Sequence, residues 1–122
     1  MTIRPARGKI MPVLYAEVDF MASIEKLPAG AFNISRWSGG TTTELFIWPH
    51  GASYAERRFS IRISTATVDI AESTFTKLPS VTRYIAPLGD GFTLKIGQNE
   101  PEFIPHAAVK RFDGGEDVTC AG

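Results

Sequence analysis

Arg36-Trp37-Ser38-Gly39-Gly40-Thr41-Thr42-Thr43-Glu44-Leu45-Phe46-Ile47-Trp48 reads as a turn followed by a strand. It holds both tryptophans of the chain and its one run of three threonines. Two adjacent glycines without Cβ reach positive φ cheaply, so Gly39-Gly40 predicts the turn. The β-branched and aromatic residues from Thr41 onward predict the strand, over 41–48. Strand side chains alternate between faces. Simple alternation therefore puts Thr42, Glu44, Phe46 and Trp48 on one face, and Thr41, Thr43, Leu45 and Ile47 on the other. A carboxylate between a hydroxyl and two aromatics points to a polar group held in a partly apolar pocket.

Working outward, 59–68 predicts a second strand with clean alternation. Phe59, Ile61 and Ile63 lie on one face, and Ser60, Arg62, Ser64 and Ala66 on the other. The segment 69–75 reads as a short strand or turn, and 81–86 as a third strand. Leu88-Gly89-Asp90-Gly91 carries the Asp-Gly signal of a hairpin turn. It is expected to join 81–86 to a return strand over 92–96, which alternates as a half-buried strand should. A loop over 97–105, a strand over 107–112 and a turn at Asp113-Gly114-Gly115-Glu116 follow. Residues 117–120 open a last strand that is expected to stop before it finds a partner. Upstream, 13–20 fits either a short strand or a frayed helix, and Leu27-Pro28-Ala29-Gly30 breaks any helix. Residues 1–30 therefore read as a weakly structured extension or short strand, and 31–122 as the domain. Short strands with turns every 8–12 residues describe a sandwich or barrel.

Composition limits the function classes. The chain has 122 residues, the length of one domain. Its 13 Lys plus Arg balance 13 Asp plus Glu, which argues against nucleic acid or an anionic membrane as the main partner. Cys120 is the single cysteine, so no intrachain disulfide forms and a reducing compartment is expected. No apolar run approaches the roughly 20 residues of a membrane helix. The N-terminal segment is a poor signal peptide, being interrupted by Pro12, Glu17 and Asp19. These features predict a cytoplasmic protein.

The chemistry-bearing residues narrow further. His50 and His106 are far apart, each beside proline in a loop, and no His-x-His pair exists; no metal and no cofactor are expected. Ser38 has no nucleophile elbow around it and no base in a triad pattern. Cys120 lacks an activator. Gly39-Gly40-Thr41-Thr42-Thr43 is not a P-loop, because Lys is missing and a strand follows where a helix should. The remaining set is Glu44, Arg62, Ser64 and Arg83, all on strands. Guanidinium groups suit bidentate capture of a carboxylate, and Glu44 can lock one of them in place. The alternative is a solvated outer face with ordinary cross-strand pairs.

Four pieces in order carry a family resemblance. They are Trp37-Ser38-Gly39-Gly40-Thr41-Thr42-Thr43-Glu44; Phe59-x-x-Arg62-Ile63-Ser64-x-Ala66; Phe75-x-x-Leu78-Pro79 before Arg83; and Phe112-Asp113-Gly114. This resembles the HutD/Ves family. Its pattern is Trp-x-x-Gly-Gly-x-Thr-x-Glu, then Arg-x-Ser-x-Ala, then Phe-Ser-x-x-Pro-Gly before an Arg, then Phe-Asp-Gly. The resemblance runs over about 34–122. It implies an all-β, cupin-like (RmlC-like) antiparallel barrel or sandwich, two barrels to a chain in the family. It also implies association with histidine utilisation, as a regulatory binder of a small carboxylate metabolite; urocanate and N-formylglutamate are the ligands the analogy offers. Family members run on past the Phe-Asp-Gly strand into an Asp-x-Asn-x-Met segment, where this sequence stops. The expectation is thus a C-terminally truncated form with open strand edges, and a homodimer to cover them.

Together these readings predict a small-molecule-binding protein with Trp37, Thr42, Glu44, Phe46, Arg62, Ser64 and Arg83 around the ligand. Arg62 or Arg83 would hold the negative charge, Trp37 and Phe46 would form an apolar wall, and Thr42 and Ser64 would donate hydrogen bonds. Two readings of other classes are a metal-independent cupin isomerase or hydrolase with Glu44 as general base, and a module for protein interaction alone.

Overall fold

The computed structural model describes residues 2–3 and 27–122. In chain order its strands are β1 (Thr2–Ile3), β2 (Asn33–Trp37), β3 (Gly40–Trp48), β4 (Ile61–Val68), β5 (Glu72–Thr74), β6 (Thr82–Ile85), β7 (Gly91–Ile96), β8 (Glu102–Pro105), β9 (Lys110–Asp113) and β10 (Val118–Ala121). A 3-10 turn at Ala29–Ala31 precedes β2. Every strand pairing is antiparallel. Six strands form one sheet in the order β2-β3-β4-β1-β6-β9, and four form another in the order β5-β10-β7-β8. The all-β expectation holds, with no α-helix among the described residues. Among them no helix is long and apolar enough to cross a membrane. The segment 13–20 lies outside the described residues.

The core sits where the two sheets face each other. Leu94 of β7, Ile104 of β8, Phe112 of β9, and Val118 and Cys120 of β10 are buried together. Phe75, Ile85, Phe92 and Ile96 pack against them. The period-2 pattern of Phe92, Leu94 and Ile96 puts all three on this face, as the sequence predicts. Leu78 and Val81 are also buried, and their turn is tied to the β9–β10 turn. Leu78 N–H donates to Gly114 O at 2.6 Å, and Gly114 N–H donates to Val81 O at 2.7 Å.

Several expectations change. Residues 88–91 do not close a hairpin: β6 belongs to the six-stranded sheet and β7 to the four-stranded one. Pro87 has no N–H to extend the β6 ladder. The connection instead leans on the β8–β9 turn, with Ala107 N–H donating to Pro87 O at 2.9 Å. The 97–105 segment is not all loop, since Glu102–Pro105 forms edge strand β8 against β7. Its prolines at 101 and 105 hid it from composition. The last strand is not partnerless: β10 pairs with β5 on one side and β7 on the other, and Val118 and Cys120 drive it inward by burial.

The positive φ expected of the Gly-Gly pair occurs at Gly40, φ 158°, and close packing acts beside it. The turn tip is Ser38-Gly39, because Trp37 already pairs with Gly40. Gly39 does not have positive φ; a Cβ there would lie 2.1 Å from the Trp37 ring. At Gly40 a Cβ would lie 1.9 Å from the Thr67 carbonyl oxygen across the β3–β4 ladder. At Gly40, with φ 158°, the close approach is to backbone and calls for glycine; at Gly39 the close neighbours are the side-chain ends of Trp37 and Ile70. Left-handed geometry does occur at Ser80, with φ 63°. Ser80 stands where the family pattern places the glycine of Pro-Gly.

Candidate functional site

The site begins with an irregularity in β3. Glu44 pairs with Ser64, but the next pair is Phe46 with Ile63, so Leu45 is an extra residue without a cross-strand partner. A bulge of one residue reverses which face the following side chains occupy. Ile47 therefore stands opposite Arg62, on the face of Glu44 and Ser64. Phe46 and Trp48 are thrown to the other face, opposite Ile63 and Ile61. This corrects the expectation that Phe46 and Trp48 share a face with Thr42 and Glu44. There they surround His50, with ring centroids at 6.5 Å for Phe46 and 4.9 Å for Trp48.

On the Glu44 face the bulge brings a cation to a carboxylate. Arg62 Nε donates to Glu44 Oε2 at 2.7 Å, and the two side chains keep only 11% and 14% of their exposure. Arg62 Nη1 lies 3.4 Å from Ser64 Oγ, a long contact. The Tyr54 ring supports the guanidinium, whose carbon is 4.2 Å from the ring centroid. Tyr54 belongs to the loop between β3 and β4. Phe59, which is buried, stacks on it with centroids 6.2 Å apart. Arg57, with φ 58°, lays its own guanidinium 4.1 Å from the same ring centroid and donates to the Tyr54 carbonyl.

The second cation comes from β6. Thr2 of β1 pairs with Arg62 on one side and with Arg83 on the other, so both arginines occupy one row across the sheet. Paired positions share a face, and two strand spacings separate them by roughly 10 Å. Arg83 in turn pairs with Phe112 of the core, so this row faces the second sheet. The Arg83 guanidinium carbon lies 5.0 Å from the Phe75 ring centroid and 5.6 Å from that of Phe112. Its Nη1 donates to Thr76 O at 3.1 Å. Among the described residues no carboxylate pairs with it. Burial lowers its pKa from the ordinary value; the ionisable Tyr54 hydroxyl opposes that, and the like charge of Arg62 adds to it.

The other candidate positions fall in two groups. Thr42 stands opposite Ala66, on the face of Glu44 and half-buried. Trp37 shares that face by register but sits at the far end of the ladder. Four residue steps separate Gly40 from Glu44, roughly 13 Å of strand. Its ring covers Gly39 and not the arginines. Tyr54, Arg57, Phe75 and Phe112 were not among the expected site residues, although Phe75 and Phe112 stand in the quoted motifs. Tyr54 had one signal: its loop must close next to Arg62, at the start of β4. His106 Nδ1 lies 3.0 Å from Gly89 O, and no cluster placed for a metal occurs among the described residues. A cleft of about 270 Å³ borders Phe112 on the side of β7–β9, where Glu100, Glu102, Asp113 and Glu116 outnumber Lys110 and Arg111. It is the wrong sign for an anion.

The two sheets and the arginine row between them define a cupin-like protein whose inner face carries positive charge beside aromatic rings. The family model described as HutD matches residues 29–122, and the chain belongs to the HutD family. Among solved structures it is similar to HutD from Pseudomonas fluorescens SBW25 (formate condition), with a TM-score of 0.64 and 22% identity. That match covers 77% of this chain and 50% of the other, so the chain spans about half the length of its solved relative. No curated protein matches it.

Proposed function

We propose that this protein binds a small carboxylate metabolite on the inner face of the six-stranded sheet, and through it bears on histidine utilisation. One observation carries the reading. Arg62 and Arg83 share a row facing the second sheet, and the only carboxylate paired with either among the described residues is Glu44. Arg83 is half-buried with no counter-charge among the described residues, and an incoming carboxylate would supply one through charge-assisted hydrogen bonds. Tyr54, Phe75 and Phe112 set aromatic rings beside the two arginines, the kind of lining that small-molecule sites use. Urocanate and N-formylglutamate are the acids that family membership offers. The reading includes a homodimer, since the outer edge of β2 has no partner among the described residues.

Thermal-shift titration of the full chain with both acids and with neutral analogues tests it. A ligand at a hundred times its Kd adds about 2.7 kcal/mol to stability. That raises Tm by several degrees in a domain of this size. An acid should shift Tm and its neutral analogue should not. Flat curves for every acid would remove the proposal.

A further inference from the structure

The two arginines of the row are not equivalent, and the difference assigns them different tasks. Arg62 is already engaged: Glu44 takes its Nε at 2.7 Å, and the Tyr54 ring lies against its plane. Its charge is balanced inside the protein. Arg83 gives one bond to a neutral carbonyl, that of Thr76. It otherwise touches the rings of Phe75 and Phe112. A guanidinium has five N–H donors in a planar fork, and among the described residues only this one Arg83 bond is made. Aromatic rings hold the plane of a guanidinium without consuming its in-plane donors. Among the described residues the fork thus lies against two rings with most of its edge unpaired, which is the arrangement a two-oxygen acceptor needs.

Resting on the carboxylate-binding reading above, we infer that Arg83 is the residue that takes the ligand carboxylate, while Arg62 is a positioning residue locked by Glu44. The ligand then lies along the sheet from Arg83 toward Arg62 and Tyr54. Phe75 and Phe112 set the direction of the fork, and Thr76 O sets its rotation about the rings. Glu44 has a separate effect. It cancels the charge of Arg62, so the site discriminates by what meets Arg83.

Isothermal titration with urocanate, N-formylglutamate and their primary amides separates the cases. Arg83→Gln should weaken binding of the acid by roughly tenfold to a hundredfold, the worth of hydrogen bonds to a charged group. It should leave the already weak amide unchanged. Arg83→Lys keeps the charge but not the fork, and should fall between the two. Glu44→Gln removes the balancing charge from Arg62 and should tighten acid binding. If Arg83→Gln binds as wild type while Arg62→Gln loses the acid, the assignment is wrong and the binding reading survives. If Glu44→Gln abolishes binding, the assignment is also wrong. If neither acid binds the wild-type chain, both fall together. Should Arg83→Gln fail to fold, Arg83→Lys and Glu44→Gln still decide, because each leaves a polar group of similar shape in place.

Discussion

Ser80 shows how a single residue can depart from what its backbone wants. It sits at φ 63° in the Leu78-Pro79-Ser80 turn, a conformation that a side chain makes costly and glycine does not. Ser80→Gly should therefore stabilise the fold, by about 1 kcal/mol, read as a higher urea midpoint with unchanged slope. A lower midpoint would mean that the serine makes a contact worth more than the strain. At this scale the sequence was a good guide to which residues carry charge inward. Period-2 alternation alone placed Arg62 and Ser64 opposite Ile61 and Ile63, and a Glu44 pair with one of the two arginines was expected. It could not place Tyr54, because a loop side chain has no period to read. Nor could it show that Arg83 lies against Phe75 and Phe112, contacts made across the two sheets.

Strands were legible as elements, and their joints were not. The alternating runs that became β3, β4, β6 and β7 stand out in the sequence to within two or three residues. The bulge at Leu45 does not, since Glu44-Leu45-Phe46 contains no glycine or proline to mark it. Every side-chain direction past it was therefore read inverted, Phe46 among them. Asp90-Gly91 misled in the opposite way. It carries a hairpin signal, yet Pro87 and the bond to Ala107 send the chain to the other sheet. Gly40 is where an element-level test is sharpest. Its missing Cβ lets β3 and β4 approach, and Gly40→Ala must push the Thr67 carbonyl aside. The expected loss is about 1–3 kcal/mol, the usual cost of overpacking, measured by urea unfolding. A neutral result would show that the ladder yields freely there.

Across the whole molecule, the fold class was readable from turn spacing and β-branched content. Strand order was not, because sequence neighbours β6 and β7 lie in different sheets while β10 settles between β5 and β7. The homodimer is tested at this scale. β2 is exposed along its length, and Ile34 keeps 66% of its exposure. Such an edge invites a second strand, and lysine discourages it. Light scattering on a sizing column should give twice the chain mass for the wild type and the chain mass for Ile34→Lys. A wild type that stays monomeric at every concentration would remove the dimer.

The six-stranded sheet is joined at its middle by β1, a strand of two residues. On one side of it lie β2, β3 and β4; on the other lie β6 and β9. Each flank meets β1 through two residue pairs, where β3 meets β4 through eight. Among the described residues these are the narrowest ladders of the sheet, and a hinge expected along them would run between the two guanidiniums. Arg62 rides on one half and Arg83 on the other. A small acid that touched both would act as a staple across that hinge line, and occupancy would be felt as stiffness of the entire sheet.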